Sequence, residues 1–236
     1  MSIEELIRSY KYPFEEHEYQ TEDGYLNTVH RIPGTIRTLE NAHEVFYGKP
    51  VVLYQHGLMD SAAGLCCNGE TSIAFALADA GFDVWMNNNR GTTYSRKHTT
   101  LDPDKDDDYW DYSFQEMGKY DQPAVWNFIL TKTGQQKLTY IGHSQGTSQM
   151  LAGACMNPDF FRQRANAIIL CAPVATVGDV QSLGVHQMKD SETVRELLKK
   201  MGPELFAKPG VKKVSLINNN FAAFFQMAGI GNMSLS

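Results

Sequence analysis

Residues 137–150, KLTYIGHSQGTSQM, decide how this chain folds. The opening KLTYIG is a short apolar run of strand length, and beyond it Met150, Leu151, Ala154 and Cys155 recur at helical spacing. The helix they predict stops at Asn157-Pro158, because a proline disfavours helical geometry in the residue before it. Between strand and helix stands Gly142-His143-Ser144-Gln145-Gly146, the G-x-S-x-G pattern of a serine carried on a sharp strand-to-helix turn. Such a turn needs the small Gly142 and Gly146 to lift the serine oxygen clear of the sheet. A serine hydroxyl attacks a carbonyl only when a base takes its proton and donors stabilise the resulting oxyanion. The N–H of Gln145, at a helix start where amides are unpaired and the dipole favours negative charge, is one such donor.

The second donor should come from a loop after an earlier strand. Residues 50–55, PVVLYQ, form that strand, and HGLM follows at 56–59, which makes the N–H of Leu58 the candidate, with Gly57 beside it. His56 and His143 read as residues that shape the site from either side. Further out, residues 17–32 alternate around Asp23-Gly24 and predict a β-hairpin. Thr71 or Ser72 caps a helix with Ile73, Leu77 and Ala80 on one face, ended by Gly81, and FDVWMN (82–87) is the next strand. Asp121 caps a helix over 121–133 with Pro123 in its first turn, Val125, Phe128 and Ile129 on one face, and Gly134 as terminator. AIILCA (167–172) predicts one more buried strand. Strands alternating with helices point to an α/β architecture, a mostly parallel sheet covered on both faces.

That core is expected to occupy residues 1–174, and residues 175–236 the beginning of a helical cap. The amphipathic SETVRELLKKM (191–201) and the aromatic cluster of Phe221, Phe224 and Phe225 fall in the cap; the cluster fits either core packing or lipid contact. With 21 basic against 27 acidic residues in 236, net charge −6, and no long basic run, nucleic acid and anionic membranes are poor partners. No apolar run reaches membrane-spanning length, and the start lacks a secretory signal. Cys155 and Cys171 lie in apolar patterns and are expected to be buried thiols, while Cys66 and Cys67 fit either state. Asp102, Asp104 and Asp106 alternate as in a calcium loop, but Asp107 and Ser113 stand where such a loop needs glycine and glutamate, so a solvated acidic loop is expected.

Several blocks extend the pattern: YPFEEHEYQTEDGYLNTVHRIPG, VLYQHGLMDSA, SIAFALADAGFDVWMNNNRG, SFQEMGKYDQPA, YIGHSQGT and APVATV, in order over about residues 10–177. Together they resemble the acid lipase family, the gastric and lysosomal lipases that hydrolyse triacylglycerols and cholesteryl esters. The resemblance implies an α/β-hydrolase fold with a cap after APVATV, Ser144 as nucleophile, the amides of Leu58 and Gln145 as oxyanion hole, and neither metal nor organic cofactor. It implies a lipid ester substrate, transient contact with a lipid surface, and a secreted or lysosomal setting. In that family the triad acid and histidine lie beyond the cap, so neither is expected in this chain, which ends inside it. After Ser144 the one histidine is His186, followed by Asp190 in the reverse of the fold's order, and it reads as a surface residue. A non-catalytic hydrolase-fold protein that binds lipid or a protein partner is the alternative, and an acyltransferase using the same serine is a third.

Overall fold

The computed structural model describes residues 1–35 and 48–176. The cap expected from residue 175, with His186, Asp190, Phe221, Phe224 and Phe225, lies outside the described residues apart from its first two positions. A Ser2 capping box with Glu5 opens α1 (Ile3–Ser9), which buries Ile3 and Ile7 one turn apart. The hairpin forms as β1 (Glu15–Gln20) and β2 (Tyr25–Ile32), paired antiparallel with Asp23 and Gly24 in the turn. β3 (Val51–Gln55), α2 (Ile73–Asp79), β4 (Asp83–Asn87) and the short β5 (Lys97–His98) follow. A short helix, Phe114–Glu116, and a π-helical turn, Met117–Asp121, lead into α3 (Gln122–Thr133). The chain continues through β6 (Leu138–His143), α4 (Gln145–Met156), α5 (Pro158–Arg164) and β7 (Ala165–Cys171).

The strands form one sheet in the order β1-β2-β4-β3-β6-β7, with β5 paired to β2. β4, β3, β6 and β7 are mutually parallel, and the hairpin joins them antiparallel through β2 and β4. Alternation along the central strands feeds two cores: Val84 and Met86 pack with α1 and α2, while Trp85 faces the opposite way toward Val125, Trp126 and Ile129 of α3. Both faces of the central sheet are therefore covered.

Several sequence expectations are corrected. In α2 the buried residues are Ala74, Phe75 and Ala78, and Ile73 is 55% exposed, because Phe75 fills the space against Tyr10 and Tyr12 that sets the helix rotation. Ser72 stands at the N-cap, as one of the two expected residues, but neither it nor Thr71 makes a side-chain cap; their hydroxyls donate to the carbonyls of Gly69 and Asn68. Asp121 is no side-chain cap either, since the π turn runs straight into α3 and its carboxylate is taken by Arg90. β7 is not a buried strand: among the described residues it pairs on one side only, with β6, and Ile168 and Ile169 are 39% and 45% exposed. Cys171 is accordingly exposed, and so is Cys155, which falls on the outer side of α4; Cys66 is buried and Cys67 exposed, and all four are free thiols. In the acidic loop, Asp102 pairs with Lys105 and Asp104 with Arg96, while Asp106 accepts the Asp102 amide.

One ionic clamp joins the hairpin to the helical layer. The Arg90 guanidinium, 1% exposed, binds both oxygens of Asp121, nearest contact 2.6 Å, and reaches Asp23 in the hairpin turn at 2.7 Å. It also lies 3.8 Å above the Tyr25 ring. Removing one partner of a buried pair leaves an uncompensated charge. Asp121→Ala is therefore expected to lower unfolding free energy by about 3–5 kcal/mol in urea titrations. Lys97→Gln, which breaks the exposed pair with Glu18, should leave the midpoint unchanged; equal effects of the two would show that the clamp is not structural.

Candidate active site

Ser144 follows β6 and precedes α4 with φ 52° and ψ −117°, a positive-φ conformation that a non-glycine residue adopts only when its surroundings impose it. The surroundings are close on every side. A Cβ on Gly142 would stand 2.8 Å from the Tyr140 ring, and one on Gly146 would stand 2.5 Å from the Gln55 carbonyl oxygen. The Tyr140 hydroxyl donates to the Gly146 carbonyl at 2.7 Å, fixing the first turn of α4 over the strand. The Ser144 N–H donates to the Cys171 carbonyl of β7 at 3.0 Å, and its carbonyl accepts the N–H and hydroxyl of Thr147 at 2.9 and 2.5 Å. Both backbone groups are thus committed, while the side chain makes no capping bond to the helix and the residue is half-exposed.

The loop after β3 lies against this serine. A Cβ on Gly57 would stand 2.9 Å from the Ser144 Cβ, 3.3 Å from its Oγ and 3.3 Å from the His143 carbonyl oxygen. Only a glycine lets the backbone come so near. Leu58 follows at 65% exposure and Met59, with φ 62°, at 47%, so two apolar side chains are exposed in the loop after Gly57. Gln145 is the first residue of α4, and its N–H belongs to the first-turn amides that have no intrahelical partner. His143 is exposed at the end of β6.

His56 differs in kind: it is buried, and its ring is bonded on both sides. The Asn89 N–H donates to Nε2 at 3.0 Å, so the ring proton sits on Nδ1, which donates to the Gly57 carbonyl at 2.8 Å. Burial pushes its pKa below the usual histidine value, the Gly57 carbonyl and the Asp60 charge opposing, and the neutral ring is the one that can accept from Asn89. The Asn88 Oδ1 accepts the Ala62 N–H at 3.0 Å, so β4's exit holds the same loop at its far end.

Beneath the elbow lies a layer of buried carboxamides that sequence reasoning missed. Gln55 donates to Asn89 at 2.8 Å, Asn87 and Gln122 each donate to Gln55 at 2.8 Å, and Gln149 of α4 donates to Asn89 at 3.0 Å. The run Asn87-Asn88-Asn89, directly after an apolar strand, was the available signal. Among the described residues, no group of His, Cys, Asp or Glu could hold a metal ion.

A family profile described as alpha/beta hydrolase fold matches residues 50–210, and one described as a partial alpha/beta-hydrolase lipase region matches residues 3–69. Human lipase member M is 45% identical over 186 residues, 78% of this chain and 42% of that protein. Human gastric triacylglycerol lipase is 44% identical over 184 residues, covering 78% and 45%, and human lysosomal acid lipase/cholesteryl ester hydrolase is 43% identical over 178, covering 75% and 43%. The chain thus spans less than half the length of these relatives. Among solved structures, potato (Solanum tuberosum) epoxide hydrolase I superposes with a TM-score of 0.50 at 12% identity, covering 75% of this chain and 46% of that one, which bears on the fold alone.

The bonding of His56 has a consequence for stability. The unfolded chain takes up a proton at His56 near pH 6.5, whereas the folded chain takes it up only at lower pH. The stabilisation is complete above that value and is lost as pH falls through the interval to the folded pKa. The urea midpoint should decline below pH 6.5, and His56→Gln, which cannot titrate, should flatten that decline; an unchanged slope would show that His56 is not the group responsible.

Proposed function

The chain belongs to the α/β-hydrolase fold family, and from that premise we propose that it serves as a lipase-like serine ester hydrolase acting on lipid esters, of the triacylglycerol or cholesteryl ester class. The observation that carries the proposal is the positive-φ Ser144, whose backbone is fully bonded while its hydroxyl is left out of the helix cap. Names of the relatives supply the substrate class, since proteins 43–45% identical to it are triacylglycerol and cholesteryl ester lipases.

In this mechanism Ser144 Oγ attacks the ester carbonyl carbon and its proton passes to a base. The carbonyl oxygen, now negative, accepts from the N–H groups of Leu58 and Gln145. Each such donor stabilises the transition state by about 2.7–4 kcal/mol. Collapse expels the alcohol and leaves an acyl group on Ser144, which water then removes. Gly57, Gly142 and Gly146 permit the close approaches this needs, with His56 and His143 flanking them. The exposed Leu58 and Met59 offer an apolar surface for acyl chains or a lipid interface. No helix among the described residues is long and apolar enough to cross a membrane.

One observation favours a second role. No described side chain hydrogen-bonds the Ser144 hydroxyl, as a base would, and a hydrolase-fold protein that binds lipid or a protein without turnover would share this feature. Hydrolysis of p-nitrophenyl butyrate separates the two. The hydrolase role predicts release of p-nitrophenol beyond one equivalent, at least about 100-fold faster than by Ser144→Ala. Equal release by both chains would overturn it and leave the binding role.

A further inference from the structure

We propose that Asn89 is a positioning residue that keeps the two halves of the oxyanion hole in register, an inference that rests on Ser144 being the nucleophile. The two donors come from different elements: Leu58 from the loop after β3, Gln145 from the start of α4. Asn89, on the exit of β4, is bonded toward both. Its N–H donates to His56 Nε2 at 3.0 Å, and the opposite ring nitrogen of His56 holds the Gly57 carbonyl, the peptide oxygen immediately before Leu58. Its side-chain Oδ1 accepts from Gln149 at 3.0 Å, four residues after Gln145 in α4 and so stacked beneath it. The same oxygen accepts from Gln55 at 2.8 Å, the residue before His56. Asn89 Nδ2 also approaches His56 Nδ1 at 3.4 Å, but both atoms carry hydrogens, so this is contact without a bond.

Every member of this set is buried: Asn89 is 5% exposed, His56 1%, Gln55 and Gln149 0%. Apolar side chains of similar shape would fill the same space without desolvating amides. What carboxamides add is direction: each bond fixes an orientation as well as a distance. The Gly146 contact with the Gln55 carbonyl transmits any shift of Gln55 directly into the elbow. Site geometry must hold to within about 0.5 Å, and a displacement of about 1 Å costs roughly 100-fold in rate. A residue that bonds to both halves can act on rate without touching the substrate.

The test uses diethyl p-nitrophenyl phosphate on the whole chain. The Ser144 Oγ–P bond forms, p-nitrophenolate leaves with the bonding pair, the hydroxyl proton passes to solvent, and the phosphoryl oxygen occupies the hole. Rates are taken per folded chain, counted by near-UV circular dichroism, and split into maximal rate and half-saturating concentration. Asn89→Ala should lower the maximal rate about 100-fold with half-saturation within about threefold, since the hole and not binding is disturbed. A maximal rate within threefold of the unsubstituted chain overturns the proposal. If Asn89→Ala does not fold, Gln149→Met decides: methionine keeps the volume but removes the donor to Asn89 Oδ1, so the maximal rate should again fall about 100-fold with half-saturation within about threefold. A maximal rate within threefold of the unsubstituted chain would then overturn the proposal. An unsubstituted chain that reacts no faster than Ser144→Ala removes the nucleophile itself, and both proposals fall together; the other contrary results remove Asn89 alone.

Discussion

The first turn of α4 rests directly on the carbonyl end of β3, with 2.5 Å between the Gln55 oxygen and the place a Gly146 Cβ would occupy. The geometry of the site follows from that contact. A helix starting this close to the sheet must leave β6 through a single residue, and Ser144 takes the positive φ that makes the turn. Such a conformation costs on the order of 1–3 kcal/mol and persists only when the structure around it over-determines it. Here the Cys171 carbonyl, the Thr147 amide and hydroxyl, and the Tyr140 hydroxyl bound to Gly146 do so.

The interior beneath this turn is built for direction more than for strength. Gln55, Asn87, Asn89, Gln122 and Gln149 are buried and bonded mainly to one another, and Gln122 Oε1 has no partner among the described residues. An unmet buried polar atom costs about 1–3 kcal/mol, so an apolar layer would serve stability better. The Arg90 clamp with Asp121 and Asp23 lies one residue beyond this layer and fixes the exit of β4 from the other side. Strand ends, the loop after β3 and the elbow therefore share one bonded framework, with the half-exposed Ser144 at its edge.

Much of this was legible from residue types. The glycines of the G-x-S-x-G run announce the tight turn, and the alternation around Asp23-Gly24 announces the hairpin, because both depend on local sterics. The hidden parts depend on partners distant in sequence. Nothing local to Asp121 says that its carboxylate will meet Arg90, 31 residues earlier, in place of capping α3. The α4 stripe chosen for its apolar residues misses that Gln149 and Thr147 are buried and Cys155 exposed, since periodicity ranks side chains by polarity and not by the bonds available to them. Likewise AIILCA carries the composition of a buried strand, yet β7 has a single neighbour among the described residues. Composition reports what a strand can bury, not what lies beside it.

If Ser144 is the nucleophile, its reactivity toward an electrophile depends on the fold that sets the positive φ of the turn. The most direct measurement is peptide-resolved mass spectrometry after incubation with a p-nitrophenyl phosphonate ester, run on folded chain and on chain held in urea. A phosphonyl adduct is expected on the peptide containing Ser144 in the folded sample alone. An adduct spread over several serines, or the same labelling of Ser144 with and without urea, would contradict it.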